Sequence, residues 1–252
     1  MLARYGIELE LNRSGDDELT ELLVSKFGGS FPKTKEFSAF ARTISTDVSA
    51  VDDPDATLLK WMDDEEHIFR LLERHIVQKH LEAGFGESGV DVDAFIKVSL
   101  SVQNCRKARA GLAFEHHIEA VLRANDVRHE RGVQTEGKRK PDFLFPGRGA
   151  YIDDVYPASK LRILGTKTTC KERWRQVLAE ADRIPLKHSI TLEPSVSNDQ
   201  TEEMKSRQLQ LIVPTPIQAT YKQEQQAWLM SFFSSSSTYP TTPDLCNQVT
   251  AV

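Results

Sequence analysis

The chain has 252 residues, 39% hydrophobic and 27% charged, the composition of a soluble globular protein with length for one large domain or two small ones. No apolar run approaches the ~20 residues that cross a bilayer, and the charged start MLARYGIELELNRSGDDEL lacks the apolar stretch of a secretory signal, so a cytoplasmic protein with no membrane partner is expected. Cys105, Cys170 and Cys246 are too scattered for a disulfide framework or a CxxC metal site, and the net charge of −5 conceals a basic middle: residues 128–176 hold 12 Lys or Arg against 6 Asp or Glu.

In chain order, the acidic part to about Val98 reads as mostly helical. From Asp55 to Ala83, Leu58, Leu59, Met62, Phe69, Leu72, Ile76 and Val77 recur at three- and four-residue intervals, as in one amphipathic helix or a broken pair. Asp53-Pro54 is a start signal and Gly84 a stop. His67, His75 and His80 in this stretch lie too far apart along a helix axis to share a metal ion. A second helix is predicted over 110–124, with Leu112, Phe114, Ile118, Val121 and Leu122 on one stripe.

The period then changes. Asp142 to Phe145, ended by Pro146-Gly147, predicts a short buried strand, and Leu161 to Thr169 a second. Trp174 to Arg183 returns to helical spacing, Gln210 to Val213 predicts a third strand, and Lys222 to Phe233 a further helix. Helices alternating with short apolar strands predict an α/β sandwich around a mixed sheet, with a helical N-terminal part. The Ser-, Thr- and Pro-rich segment 234–252 has the composition of a disordered tail.

Asp142 at the mouth of one strand, Lys167 in the next and Glu180 one helix later form a set that can carry chemistry. Two carboxylates can hold Mg²⁺ against a scissile phosphate while an ammonium orients the attacking water and stabilises developing charge. The same three types also occur as a strand end and two solvated charges. The basic middle can neutralise phosphates, or can be a solvated face.

The segments SVQNCRKARAGLAFEHH (101–117), TEGKRKPDFLFPG (135–147) and LGTKTTCKERWRQVLAEADRI (164–184) closely resemble the catalytic domain of EcoRII-like type II restriction endonucleases, a branch of the PD-(D/E)XK nuclease superfamily. The resemblance implies a restriction-endonuclease fold with a central mixed sheet flanked by helices, occupying residues 99–233 after a helical part, 1–98. It implies Mg²⁺-dependent, sequence-specific cleavage of double-stranded DNA at a CCWGG-type target (W is A or T), flipping of the central A·T pair, and functional pairing with a cognate cytosine methyltransferase. Asp142 resembles the metal-binding aspartate, Lys167 the catalytic lysine, and Glu180 a second carboxylate displaced onto the following helix; the position two before Lys167 is Gly165, which has no side chain to serve. Tyr151 and Glu115 match a tyrosine and an acidic residue bordering the family's site, with a packing tyrosine and a helical salt bridge as their plain alternatives.

Lys171, Glu172 and Arg173 form a basic, acidic, basic triplet able to read G·C pairs in the major groove, the use the family makes of this segment. Arg106, Lys107 and Arg109, with Gln103 nearby, resemble a second DNA-contacting segment, through bases or phosphates; Lys138 and Lys140 suit phosphates alone. Trp174 is a core anchor, and Cys170 lacks an identifiable base for nucleophilic chemistry. The rivals are a repair or resolvase-type nuclease of the same superfamily and a relative that binds DNA without cutting. Fewer than about 110 residues precede the predicted AFEHH helix, so the additional N-terminal DNA-binding domain of some relatives is not expected here. A homodimer is therefore expected, one half-site reader per subunit, with Trp61, Phe69 and Leu72 as its surface unless they form intrasubunit core.

Overall fold

The computed structural model describes residues 13–87, 89–170 and 172–232. They divide into two compact units, residues to 47 with 59–117, and 48–58 with 118 onward. The boundary expected at 98/99 falls inside a continuous helix.

The first unit is helical. α1 (Arg13–Phe27) and α2 (Thr34–Ile44) lie in it with most of α3 (Pro54–Ala83) and α4 (Val92–Ala124). Asp53 Oδ1 accepts from the Ala56 amide at 3.0 Å, with Pro54 at the first helical position, and Gly84 closes α3 with φ of 72°. Leu23, Phe37, Phe40, Ile68, Leu72 and Ile76 make the core. The expected dimer surface is thereby corrected: Trp61, Phe69 and Leu72 are 9%, 1% and 0% exposed, and the last two pack inside this unit. The apolar side chains left in solvent include Val92, Phe95, Ile96 and Leu100, spaced along the first turns of α4.

The second unit holds a five-stranded sheet in sequence order: β1 (Glu130–Arg131), β2 (Phe143–Phe145), β3 (Arg162–Lys167), β4 (Lys187–Thr191) and β5 (Leu209–Ile212). β1, β2 and β3 pair antiparallel, and β3, β4 and β5 parallel. This is the expected mixed sheet. The helices with it are α5 (Arg148–Ile152), α6 (Arg175–Leu178), α7 (Asn198–Ser206), α8 (Thr215–Gln218) and α9 (Gln223–Gln226). Parallel neighbours need crossovers, which the segments carrying α6 and α7 supply. The helix expected over 174–183 shrinks to the single turn of α6, and that expected from Lys222 is four residues long, Phe233 lying outside the described residues.

Leu144 and Ile163 pair across β2 and β3 and enter one core with Trp174, Val177, Leu209 and Leu211. Because strand side chains alternate, Asp142 shares that face with Leu144, and Gly165 and Lys167 share it with Ile163. The candidate site therefore lies at one end of the face that α6 covers.

Candidate active site

Asp142 stands just before β2, and its Oδ2 accepts three hydrogen bonds from the end of β3. The Thr166 amide donates at 2.6 Å, the Thr166 hydroxyl at 3.0 Å and Lys167 Nζ at 3.1 Å. The carboxylate is thus fixed from both backbone and side chain, and Lys167 is held with only 8% of its surface exposed. Thr166 was not singled out by sequence; being the residue before the lysine is its only mark there.

Glu180 joins this pair through electrostatics. Burial, then the nearby charge of Asp142, push its carboxyl up to about 7, against the opposing pull of Lys167 and Lys187. Among the described residues its buried Oε2 has no hydrogen-bond partner. The strand position two before the lysine could not have carried this carboxylate: a Cβ on Gly165 would overlap the Val177 side chain, because the turn holding Trp174 and Val177 is packed directly on β3. The displacement onto the segment after α6 follows from that packing.

The raised value makes Glu180 a stability determinant. The folded protein binds this proton more tightly than the unfolded chain, so the contribution is fully present below the ordinary value of 4.5 and is lost as pH rises through about 7. Glu180→Gln imitates the protonated form. In EDTA, variant and parent should melt together at pH 4, and the variant should be the more stable at pH 8 by on the order of 1–2 kcal/mol, after discounting for solvent screening. Equal melting at pH 8 would show that Glu180 is not strained in the folded state.

Tyr151 is buried on α5, and its hydroxyl donates to Glu136 and accepts from the Arg183 amide at 3.3 Å. Burial and Glu136 push the phenol up to about 12, so it stays neutral. Arg183 returns its guanidinium to the carbonyls of Tyr151, of Asp153 at 3.1 Å and of Tyr156 at 2.9 Å. The tyrosine therefore braces the turn just after Glu180. Glu115 is half-buried on α4 and belongs to the first unit.

Of the reading triplet, Glu172 and Arg173 are exposed, while Lys171 lies outside the described residues. Glu172 pairs with Arg175, which also reaches Glu203 at 2.7 Å. Trp174 is wholly buried, the core anchor expected. Cys170 is buried too, its thiol pushed up to about 12 by burial and then by Glu193, which removes it as a nucleophile. Gln103 is exposed on α4. Its two neighbours are engaged internally: Arg106 forks onto Glu73, and Arg109, 6% exposed, pairs with Glu65 at 2.7 Å and Glu66 at 2.6 Å. Lys138 and Lys140 are exposed on the loop before Asp142.

The donor set suits a divalent cation. Two repelling carboxylates, one with a buried oxygen that has no partner among the described residues, would be relieved by positive charge. Among the described residues no group of three or more His, Cys, Asp or Glu is arranged to hold a metal, so the remaining ligands would be water and phosphate oxygens, as is usual for Mg²⁺. Among the same residues no helix is long and apolar enough to cross a membrane.

The sequence model of the family described as EcoRII C terminal matches residues 69–234, more than half of the chain. The type II restriction enzyme EcoRII of Escherichia coli is 43% identical over 180 residues, covering 71% of this chain and 44% of that enzyme's length. Two solved DNA complexes share the fold. Metal-depleted Ecl18kI with uncleaved, modified DNA superposes with a TM-score of 0.69 at 17% identity, over 88% of this chain and 83% of that one. The restriction endonuclease PspGI with substrate DNA gives 0.65 at 17% identity, over 82% and 91%. The chain is a member of the EcoRII C-terminal family and has the restriction-endonuclease fold expected from its sequence.

Proposed function

We propose that the protein is a type II restriction endonuclease that makes Mg²⁺-dependent double-strand cuts at a short, CCWGG-like DNA sequence. The observation that carries this is the convergence of Asp142, Lys167 and Glu180 at one end of the β2–β3 face, with Glu180 raised to about 7 by burial and Asp142. Asp142 and Glu180 would hold the cation, whose contribution when bound is to polarise a phosphate oxygen and acidify a water. Lys167 does its work from the protein side. Its ammonium, anchored on Asp142, is placed to orient the attacking water and to stabilise charge developing on the phosphate. Thr166 keeps Asp142 from turning away. Incubating plasmid with protein and Mg²⁺ and sequencing the ends tests the reading: ends confined to one short sequence support it, while random or junction-directed cuts, or none, overturn it. Repeating this on cytosine-methylated plasmid tests the pairing with a methyltransferase.

Target reading falls to the triplet after Cys170, Lys171, Glu172 and Arg173, of which Glu172 and Arg173 are exposed. Arg173→Ala is expected to lose about 1–3 kcal/mol of discrimination at one G·C position, as measured by binding to cognate and single-substituted duplexes. Lys138→Ala and Lys140→Ala should weaken all sequences alike and flatten the salt dependence. Equal loss on cognate and random DNA would remove Arg173 from the reading role. Flipping of the central A·T pair would raise 2-aminopurine fluorescence at that position on binding.

The working form is a homodimer, two-fold symmetric like its target, with Val92, Phe95, Ile96 and Leu100 of α4 as the exposed apolar face available for contact. Sedimentation of a monomer on cognate duplex would overturn it.

A further inference from the structure

Glu180 is not on a strand; it is the last residue before a turn over 181–184, so its position depends on what holds that turn. The turn's own bonds are few: the Glu180 amide donates to Val177 at 3.2 Å and the Ile184 amide to Ala181 at 2.9 Å. Ala181 has φ of 51°, a left-handed conformation that costs a non-glycine residue energy and that the surroundings must enforce.

Lys187, the first residue of β4, bonds to both ends of the turn. Its side chain folds back so that Nζ donates to the carbonyls of Ala181 at 2.9 Å and Ile184 at 2.7 Å, the first and last residues of the turn. Only 6% of the residue is exposed. Burying an ammonium is costly, and a methionine would fill the same volume without that cost. What lysine adds is two donated hydrogen bonds and a positive charge, and Glu180 is among the groups whose charge it feels, with Asp182, Glu136 and Arg139.

We propose that Lys187 is a positioning residue for the second carboxylate: by clamping the turn at both ends it sets Glu180 beside Asp142, doing for a carboxylate on a turn what a strand does for one on a sheet. The proposal rests on the assignment of Asp142 and Glu180 as cation ligands. Residues that orient a ligand from behind typically change metal affinity by about 10–100-fold when lost.

The test is a double-mutant cycle read by Mn²⁺ titration calorimetry on the whole chain, with thermal melting as a check of folding. Glu180→Ala comes first: if it binds Mn²⁺ as tightly as the parent, the ligand assignment itself fails, whatever Lys187 does. If it binds more weakly, Lys187→Met should weaken Mn²⁺ by about tenfold or more, and adding it to Glu180→Ala should cause no further loss, since its effect passes through Glu180. Lys187→Gln, which keeps an amide donor, should fall between Met and the parent, and replaces Met in the cycle if the methionine variant does not fold. Parental affinity in Lys187→Met, or a full additional loss on top of Glu180→Ala, overturns the proposal.

Discussion

Asp142→Asn, Lys167→Ala and Glu180→Ala are each expected to lower DNA cleavage by about 10²–10³-fold or more while leaving specific binding in place, the scale found when a group that stabilises transition-state charge is removed. Asparagine is the informative choice at position 142. Asp142 Oδ2 accepts from the Thr166 amide, the Thr166 hydroxyl and Lys167, and alanine would orphan the amide at the end of β3, confusing loss of chemistry with loss of structure. The amide oxygen of asparagine still accepts these bonds, so the negative charge and one oxygen ligand go while the end of β3 keeps its acceptor. Removing a carboxylate beside a phosphate also removes repulsion, so DNA affinity without metal should stay level or rise in Asp142→Asn and Glu180→Ala. A gel-shift titration in EDTA alongside single-turnover cleavage in Mg²⁺ separates the two effects. Near-normal turnover in Lys167→Ala would show that Lys167 is a structural partner of Asp142 and nothing more.

Asp142 and Lys167 were legible in the sequence because one stands just before and the other at the end of a short apolar strand, where a charged residue stands out against FLF and RIL. Glu180 was legible as a possible member of the set with Asp142 and Lys167, but only the resemblance assigned it as the second carboxylate, since nothing in helical spacing brings a residue of the 174–183 segment back to the strands. Strand β4 was missed for a physical reason. Its sequence, KHSIT, is mostly polar, yet all five residues are buried between two parallel neighbours, where an apolar run is the usual signal. Lys187 is tolerated there by donating to two carbonyls, and His188 by staying neutral, pushed down to about 4 by burial and then by the charge of Arg162. Polar residues with internal partners are invisible to periodicity. The same holds for α4, which begins at Val92 and not near Ala110: the 103–109 stretch resembles a DNA-contacting segment in the sequence, while Arg106 and Arg109 are paired with carboxylates of α3.

That pairing leads to the largest expected effect on stability. Glu65 is 0% exposed on α3, and it meets Arg109 Nη1 at 2.7 Å and His117 Nε2 at 2.8 Å, both on α4. Burial opposes its charge, but His117 and Arg109 outweigh burial and hold the carboxyl below its ordinary range. Burial likewise drives His117 down, against the pull of Glu65. Glu65→Ala leaves Arg109 with Glu66 as its remaining acidic partner, so the loss should lie near the lower end of that for a broken buried pair, about 3 kcal/mol, or a melting temperature lower by roughly 6–12 °C for a chain of this size. Arg109→Ala should cost a similar amount, because Glu65 would then be a buried carboxylate facing a largely neutral histidine. Removing both charges at once should cost far less than the sum of the single changes, since neither is left uncompensated. Glu65→Leu with Arg109→Met is the pair to measure against Glu65→Leu and Arg109→Met alone. If the arginine served DNA instead, Arg109→Met would melt like the parent and weaken binding in a salt-dependent way, and the cycle would show no coupling to Glu65.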